Sequence, residues 1–352
     1  MMEGEPTRIE QKGRYLMKLG RILRDSLEGA VPRLVVVQPE RECVIDLATA
    51  EYQRLLHSGA SQEAARRLAS ALYPGSMSAA IAEGPTFLIA AAHTASSSGE
   101  DGSVLLPFEE LRWLPPLDPP VMRDCLAFEQ HLRNSFKGDL VPPQALGQHY
   151  KMPLYYKGNP LTLIGHEQEV PWPDYTQRMD YELELGFVIG YPGKDLTPEQ
   201  AKTSLFGVTI FNDFSARDIQ VQEMMGLLGP AKGKDFATAL GPWITTTDEV
   251  DMHNLTMIAR VNGEAWSHGS SSTMMWRVEE IIAYISKSEG IQAGELIGSG
   301  TVGLGCGLEL GKFLTPGDVV ELEVKGIGVL RNRIGTPAPA GWMPEQRVPA
   351  AG

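Results

Sequence analysis

The segment Met179-Asp180-Tyr181-Glu182-Leu183-Glu184-Leu185-Gly186 is the first that asks for chemistry. Read as a strand, it places residues i and i+2 on one face, so Glu182 and Glu184 point the same way about 7 Å apart. Two like charges side by side repel, and a divalent cation relieves the repulsion by taking both carboxylates as hard oxygen ligands. A solvated strand face has the same spacing. Glu321-Leu322-Glu323 repeats it and continues to Lys325, the charge alternation of an exposed strand. The pair alone leaves both readings open.

Three further segments add candidates. In Phe211-Asn212-Asp213-Phe214-Ser215-Ala216-Arg217-Asp218-Ile219-Gln220 an apolar strand ends at a carboxylate where a loop begins. That is a common place for a functional acid, although Asp213 would equally cap the turn that follows. Gly229-Pro230-Ala231-Lys232-Gly233-Lys234-Asp235-Phe236-Ala237-Thr238 permits tight backbone and carries Lys234, which either reaches a polarised oxygen or lies on the surface. It is not a phosphate-binding loop, because the GxxxxGK[ST] spacing is missing. Arg123-Asp124-Cys125-Leu126-Ala127-Phe128-Glu129-Gln130-His131, read as a helix, sets Asp124 and His131 seven residues apart on one face. The other histidines (His57, His93, His149, His166, His253 and His268) lack such acidic company and read as ordinary polar or core residues.

The elements that must position these groups follow from composition and periodicity. A length of 352 residues suggests about two domains, and 43% apolar residues suffice for a large core. Leu114-Pro115-Pro116-Leu117-Asp118-Pro119-Pro120 has too many prolines for a helix or central strand. It divides an N-terminal α+β domain (1–114) from a catalytic domain (121–335) as a linker at 115–120, with a flexible tail at 336–352. Before the linker, Leu34-Val35-Val36-Val37 and Cys43-Val44-Ile45 read as paired strands around a polar turn. Ser61 through Leu72 reads as a helix. After it, short strands dominate: residues 161–164, 183–189, 207–211, 243–246, 255–261 and 319–324. Thr197-Pro198-Glu199-Gln200 is a capping box, and Val278, Ile281, Ile282 and Ile285 form one apolar helical stripe.

The formal charge of −13 repels phosphate backbones and anionic leaflets, so neither nucleic acid nor membrane is expected as a partner. The three cysteines form no CxxC pair, and the chain begins without the basic-then-apolar layout of a signal peptide. The expected setting is cytoplasmic. The longest apolar stretch, residues 77–92, is broken by Glu83, Gly84 and Pro85.

Taken in order, RDCLAFEQH, MDYELELG, FNDFSARDIQ, GKDFAT and GSGTVGLGCGLELGKFLTPGD resemble the fumarylacetoacetate hydrolase family, over roughly residues 118–334. The resemblance implies an α+β, predominantly β fold: a mixed β-roll catalytic domain behind a small α+β N-terminal domain, in a homodimer. It implies a divalent metal held by Glu182, Glu184 and Asp213 with Asp124 beside them. Mg²⁺ is the leading candidate, and carboxylate ligands accept Mn²⁺ and Ca²⁺ too. It further implies that His131 activates water with Glu309 as its carboxylate partner, that Gln220 and Lys234 act on substrate oxygens, and that Tyr156, Thr238 and Thr301 line the site. Glu129 competes with Glu309 for the partnership with His131.

The activity implied is metal-dependent hydrolysis of a carbon–carbon bond in a small dicarbonyl substrate, an acylpyruvate or other β-diketone. Two departures argue against fumarylacetoacetate itself: Leu126 stands where the namesake has a tyrosine, and Leu140 where it has a substrate-binding arginine. Arg133 and Lys137 are the nearby substitutes. Decarboxylases, isomerases and hydratases of 2-oxo acids share the resemblance, and the non-enzyme alternative is a β-rich module with a structural Ca²⁺.

Overall fold

The computed structural model describes residues 16–26, 29–98, 102–136, 143–345 and 347, without the side chains of 143–145. Lys137 and Leu140 lie outside the described residues. The strand Leu183–Ile189 is buried at every position because it lies inside a large mixed sheet with a partner on each side. Leu205–Asp213 runs antiparallel on one flank and Leu296–Gly298 on the other. Thr238–Thr246 continues the sheet beyond the first. Met122–Cys125, parallel, and then Tyr155–Gly158, antiparallel, continue it beyond the second. A strand covered on both faces needs an almost unbroken apolar run, which this sequence has apart from Glu184.

Strand register gathers the polar residues at one end of this sheet. Asp213 lies opposite Thr238, and Leu183 opposite Asn212. Gly298 lies opposite Asp124, which in turn lies opposite Tyr156. Residues separated by more than a hundred positions in the chain thus become neighbours.

A five-stranded sheet packs against the large one. It is ordered Glu264–Ser270, Thr256–Val261, Val319–Val324, Gly328–Pro337, Glu169–Trp172. Leu185, Phe187 and Ile210 from one sheet and Met257, Leu322 and Ile334 from the other share a core. Val319–Val324 alternates buried and partly exposed positions, and Glu321 and Glu323 meet Arg331 and Arg260 on its outer face. The same Glu-x-Glu spacing is therefore a solvated face here and a buried one at Glu182 and Glu184.

The strands before Pro115 pair directly into the large sheet. Lys18–Ser26 joins Thr238–Thr246 through Leu19 opposite Ile244, and Gly29–Gln38 and Cys43–Asp46 follow around the turn Pro39–Arg41. The stretch 77–92 folds as two helices, Met77–Ala82 and Pro85–Ser97, parted at Gly84. The Pro-rich segment has no helix or strand, yet it is packed: Leu117 is fully buried and Asp118 accepts from the Met77 and Ser78 amides. No helix among the described residues is long and apolar enough to cross a membrane.

Several local expectations meet the structure. Pro198–Thr203 carries the capping box at Thr197 and Gln200, and the four stripe residues Val278, Ile281, Ile282 and Ile285 are all core. Residues 161–164 are not one strand. The turn Pro160–Thr162 precedes a two-residue strand because Asn159 accepts from the Leu161 amide and closes the chain on itself. The last strand runs on to Pro337, two residues past the expected end of order, because Pro337 still pairs with Trp172.

Candidate active site

Asp124, Glu182 and Glu184 each offer a carboxylate oxygen within 4.8 Å of the others, and all three are buried. Asp124 reaches this point from a strand rather than a helix. The Leu126 and Ala127 amides bond the Leu154 and Ser299 carbonyls, which holds the chain extended until the helix Glu129–Ser135 begins. Asp124 and His131 therefore enter from two different elements, because tertiary pairing overrides local helix preference.

Among the described residues, Asp124 and Glu184 form no ion pair with a cationic side chain and are held by neutral donors. The Gly300 amide donates to Glu184 at 2.9 Å and to Asp124 at 3.2 Å, and Thr301 Oγ1 donates to Glu184 at 3.1 Å. Gly300 can do this because its φ is +80°, and a Cβ there would lie 2.3 Å from the Cys125 carbonyl oxygen. Gly300→Ala is accordingly expected to cost more than about 2 kcal/mol and to weaken divalent-cation binding at least about tenfold. Urea unfolding and calorimetric titration with Mg²⁺ check both numbers.

Glu182 sits among basic groups. Lys234 Nζ lies 2.5 Å from one oxygen, Arg217 is 2.8 Å from the other, and His131 Nε2 is 4.0 Å away. Lys234 also reaches Asp213 at 2.6 Å, and Asp213 accepts from Tyr156 at 2.7 Å and, more weakly, from Thr238 at 3.4 Å. The structure thus pairs Asp213 with Lys234 rather than setting it in the tight trio. Gln220 accepts from Arg217 at 2.9 Å.

The charges follow from these partners. Burial pushes the Asp124 and Glu184 carboxyls well above the usual range, and neighbouring acids push them further. Burial also acts to raise Glu182, but Lys234, Arg217 and His131 outweigh it and hold Glu182 far below. Burial opposes the charge of Lys234, and Asp213 and Glu182 more than restore it. Five buried acids (Asp124, Asp180, Glu182, Glu184, Asp213) face two buried cations (Arg217, Lys234). A hard divalent cation fits that donor set and its surplus of negative charge.

This makes stability depend on pH and metal together. Asp124 and Glu184 are raised on folding, so above the ordinary carboxylate range of about 4 the metal-free native state binds more protons than the unfolded chain. Their contribution is present at lower pH and is lost as pH rises toward the folded values. Glu182, depressed on folding, has the opposite sign and is fully favourable above its ordinary value. We expect Mg²⁺ to raise the melting temperature by an increment that grows between about pH 5 and pH 7. Thermal scans with Mg²⁺ and with chelator test it. A pH-independent increment is the contrary result.

On the other side of Glu182, His131 Nδ1 lies 2.7 Å from Glu309. The second Glu309 oxygen accepts from Asn134 at 2.6 Å and from the Leu304 amide at 2.7 Å. Glu129 is turned away and meets Arg133 and Tyr150. Arg133 is occupied by that contact, at the surface.

A cavity of about 310 Å³ opens onto these groups. Asp124, Glu182, Glu184, His131, Tyr156, Gln220, Lys234 and Thr301 line it, whereas Asp213, Thr238 and Glu309 lie behind its wall. Leu126, Leu154, Met224 and Pro230 supply apolar lining.

A family model described as fumarylacetoacetate (FAA) hydrolase, C-terminal, matches residues 120–335. The chain belongs to the fumarylacetoacetate hydrolase family. A relative named oxaloacetate tautomerase YisK, from Bacillus subtilis (strain 168), is 31% identical over 269 residues, covering 74% of this chain and 87% of its own. A solved structure titled fumarylacetoacetate hydrolase, from psychrophilic Exiguobacterium antarcticum, superposes with a TM-score of 0.65 at 26% identity, covering 91% of this chain and 99% of that one. A 2-hydroxyhepta-2,4-diene-1,7-dioate isomerase from Mycobacterium marinum shares the fold at a TM-score of 0.60 and 24% identity, covering 91% and 98%. The fumarylacetoacetate hydrolase family is one of enzymes that generally use a divalent metal, and its members include hydrolases, isomerases, tautomerases and decarboxylases.

Three residues of this candidate site escaped sequence reasoning. Asp180 accepts from Arg217 and from the Gly307 and Leu308 amides, tying the strand of Glu182 to the segment that bears Glu309. Arg217 and Asn134 complete the set. Asp180 and Arg217 stand inside the quoted segments, so their membership was visible while their mutual contact was not. His253 likewise has a carboxylate partner after all, Glu279 at 3.0 Å, which a separation of 26 positions concealed.

Proposed function

We propose that this protein is a metal-dependent hydrolase that cleaves the carbon–carbon bond of an acylpyruvate or related β-diketone. One observation carries the reading: a His131–Glu309 pair, fixed by Asn134 and the Leu304 amide, stands with its free ring nitrogen toward the acid cluster. Asp124, Glu182 and Glu184, with Asp213 beside them, would hold the cation, which when bound supplies Lewis acidity to a carbonyl oxygen.

His131 Nε2 takes the proton of water while Glu309 holds the Nδ1 hydrogen and stabilises the imidazolium. The hydroxide adds to the acyl carbon, and Lys234 donates to the oxyanion that develops. When the bond breaks, the acyl part leaves as a carboxylic acid and the other carbon takes the proton to give pyruvate. The apolar lining at Leu126, Leu154, Met224 and Pro230, with no arginine among the described lining residues, suits an apolar acyl group.

The likeness to a protein named oxaloacetate tautomerase favours a second reading, in which His131 moves a proton between carbon and oxygen and no water enters. The experiment incubates the purified protein with Mg²⁺ or Mn²⁺ and a panel of acylpyruvates and 2-oxo acids in ¹⁸O-water. Loss of enol absorbance with ¹⁸O in the released acid supports hydrolysis. A product of unchanged mass replaces it with tautomerisation, and loss of carbon dioxide with decarboxylation.

A further inference from the structure

Behind the acid cluster lies a second set of converging donors. His131, Cys306 and Glu309 each present a ligand atom within 4.8 Å of the other two. His131 Nδ1 is 2.7 Å from a Glu309 oxygen, and Cys306 Sγ is 3.5 Å from the same oxygen. Around a tetrahedral zinc, with bonds of about 2.0–2.3 Å, adjacent ligand atoms sit roughly 3.3–3.7 Å apart. The sulfur–oxygen edge already has that length, and the nitrogen–oxygen edge would open by about 0.6 Å.

The donor types separate this trio from the carboxylate cluster. A thiol and an imidazole with one carboxylate select Zn²⁺ over Mg²⁺, whereas carboxylates alone suit the harder ion. The Leu304 amide and Asn134 fix the second Glu309 oxygen, so the carboxylate stays aimed between nitrogen and sulfur. Leu304 is itself 48% exposed, which puts the trio just beneath the surface. Burial pushes the Cys306 thiol well above its ordinary range. No thiolate stands there until a cation arrives to share its charge.

We propose that His131, Cys306 and Glu309 form a second, zinc-selective site whose occupation switches the enzyme off. On binding, the zinc–sulfur bond forms as the thiol proton leaves to solvent. The imidazole binds through Nδ1 and carries its hydrogen on Nε2. Thiolate and carboxylate balance the two charges of zinc, and no redox partner is needed. With Nε2 protonated, His131 has no lone pair to turn toward the cavity. This inhibitory consequence rests on His131 acting as the base, while zinc binding itself does not.

The test saturates the enzyme with Mg²⁺ and titrates Co²⁺, whose thiolate complexes absorb in the near ultraviolet. The expected result is a charge-transfer band that reaches its plateau at one equivalent and is displaced by Zn²⁺. It should be absent in Cys306→Ser and Cys306→Ala, each checked for folding by circular dichroism. Zn²⁺ should inhibit the Mg²⁺-loaded enzyme in a way that excess Mg²⁺ does not relieve, and at least about tenfold more weakly in Cys306→Ser. No band in the wild-type protein overturns the proposal. So does a band or an inhibition unchanged in both cysteine variants, or inhibition that Mg²⁺ reverses, which places zinc among the carboxylates instead. The band requires no substrate, so it succeeds or fails separately from the proposed hydrolysis.

Discussion

Glu182→Ala is expected to lower kcat/KM by at least about 10⁴-fold, the largest effect of any single substitution in the site. Its carboxylate is where the two halves of the proposed chemistry meet. It belongs to the acid trio, and it also contacts Lys234 and Arg217 and faces His131. Unlike Asp124 and Glu184, it is held strongly anionic by those cations. Removing it takes away the fixed negative charge of the trio and leaves Lys234 and Arg217 each short of a partner in a buried setting. The accompanying loss of stability should be about 3–5 kcal/mol, the usual cost of breaking a buried ion pair from one side. Glu182→Gln, which keeps the shape, separates charge from packing. Steady-state rates at saturating Mn²⁺, metal titration and thermal melts measure the three consequences. A variant that folds, binds metal and keeps a tenth of the wild-type rate contradicts the assignment.

The second large effect is expected at His131. His131→Ala should reduce kcat by about 10³-fold with KM little changed, because in the proposed reaction the ring supplies a proton acceptor in the transition state rather than a binding contact. Glu309→Gln should cost about 10²-fold. The amide still fills the space, yet it no longer stabilises the imidazolium. Glu129→Gln should lie close to wild type, since Glu129 engages Arg133 and Tyr150 instead. This ordering distinguishes the two candidate partners of His131. A Glu129 variant slower than the Glu309 variant would reverse it. Parallel losses in KM and kcat at His131 would point to a binding role.

The order of the acids along the chain made the candidate cluster legible, because strand periodicity is local and Glu182 and Glu184 needed only that. Asp124 was legible as a residue but not as a strand residue. The bonds that keep it extended come from Leu154 and Ser299, which no local pattern reveals. The competition between Glu129 and Glu309 was undecidable for a similar reason. Glu129 is two positions from His131 and Glu309 is 178 away, yet the helix turns the near acid outward to Arg133. Arg217 and Asn134 went unassigned because each matters only through a contact with a distant acid. Cys306 read as an unpaired cysteine until the fold set it beside an imidazole and a carboxylate.

The register of the large sheet bears on how such a site can change over time. Thr238, Asp213, Asp124 and Tyr156 sit on hydrogen-bonded strands, so their separations come in fixed steps of strand spacing, about 4.8 Å. A slip of one residue would not shift an acid slightly but turn it to the opposite face. The arrangement of the acids can therefore be kept or lost, but hardly graded. Leu126, Leu154 and Pro230 lie in connecting segments and Met224 in the last turn of the helix Arg217–Met225, so none of them is under that restriction. Divergence among relatives with this framework should collect at those positions, altering what is bound while the charge pattern that acts on it persists.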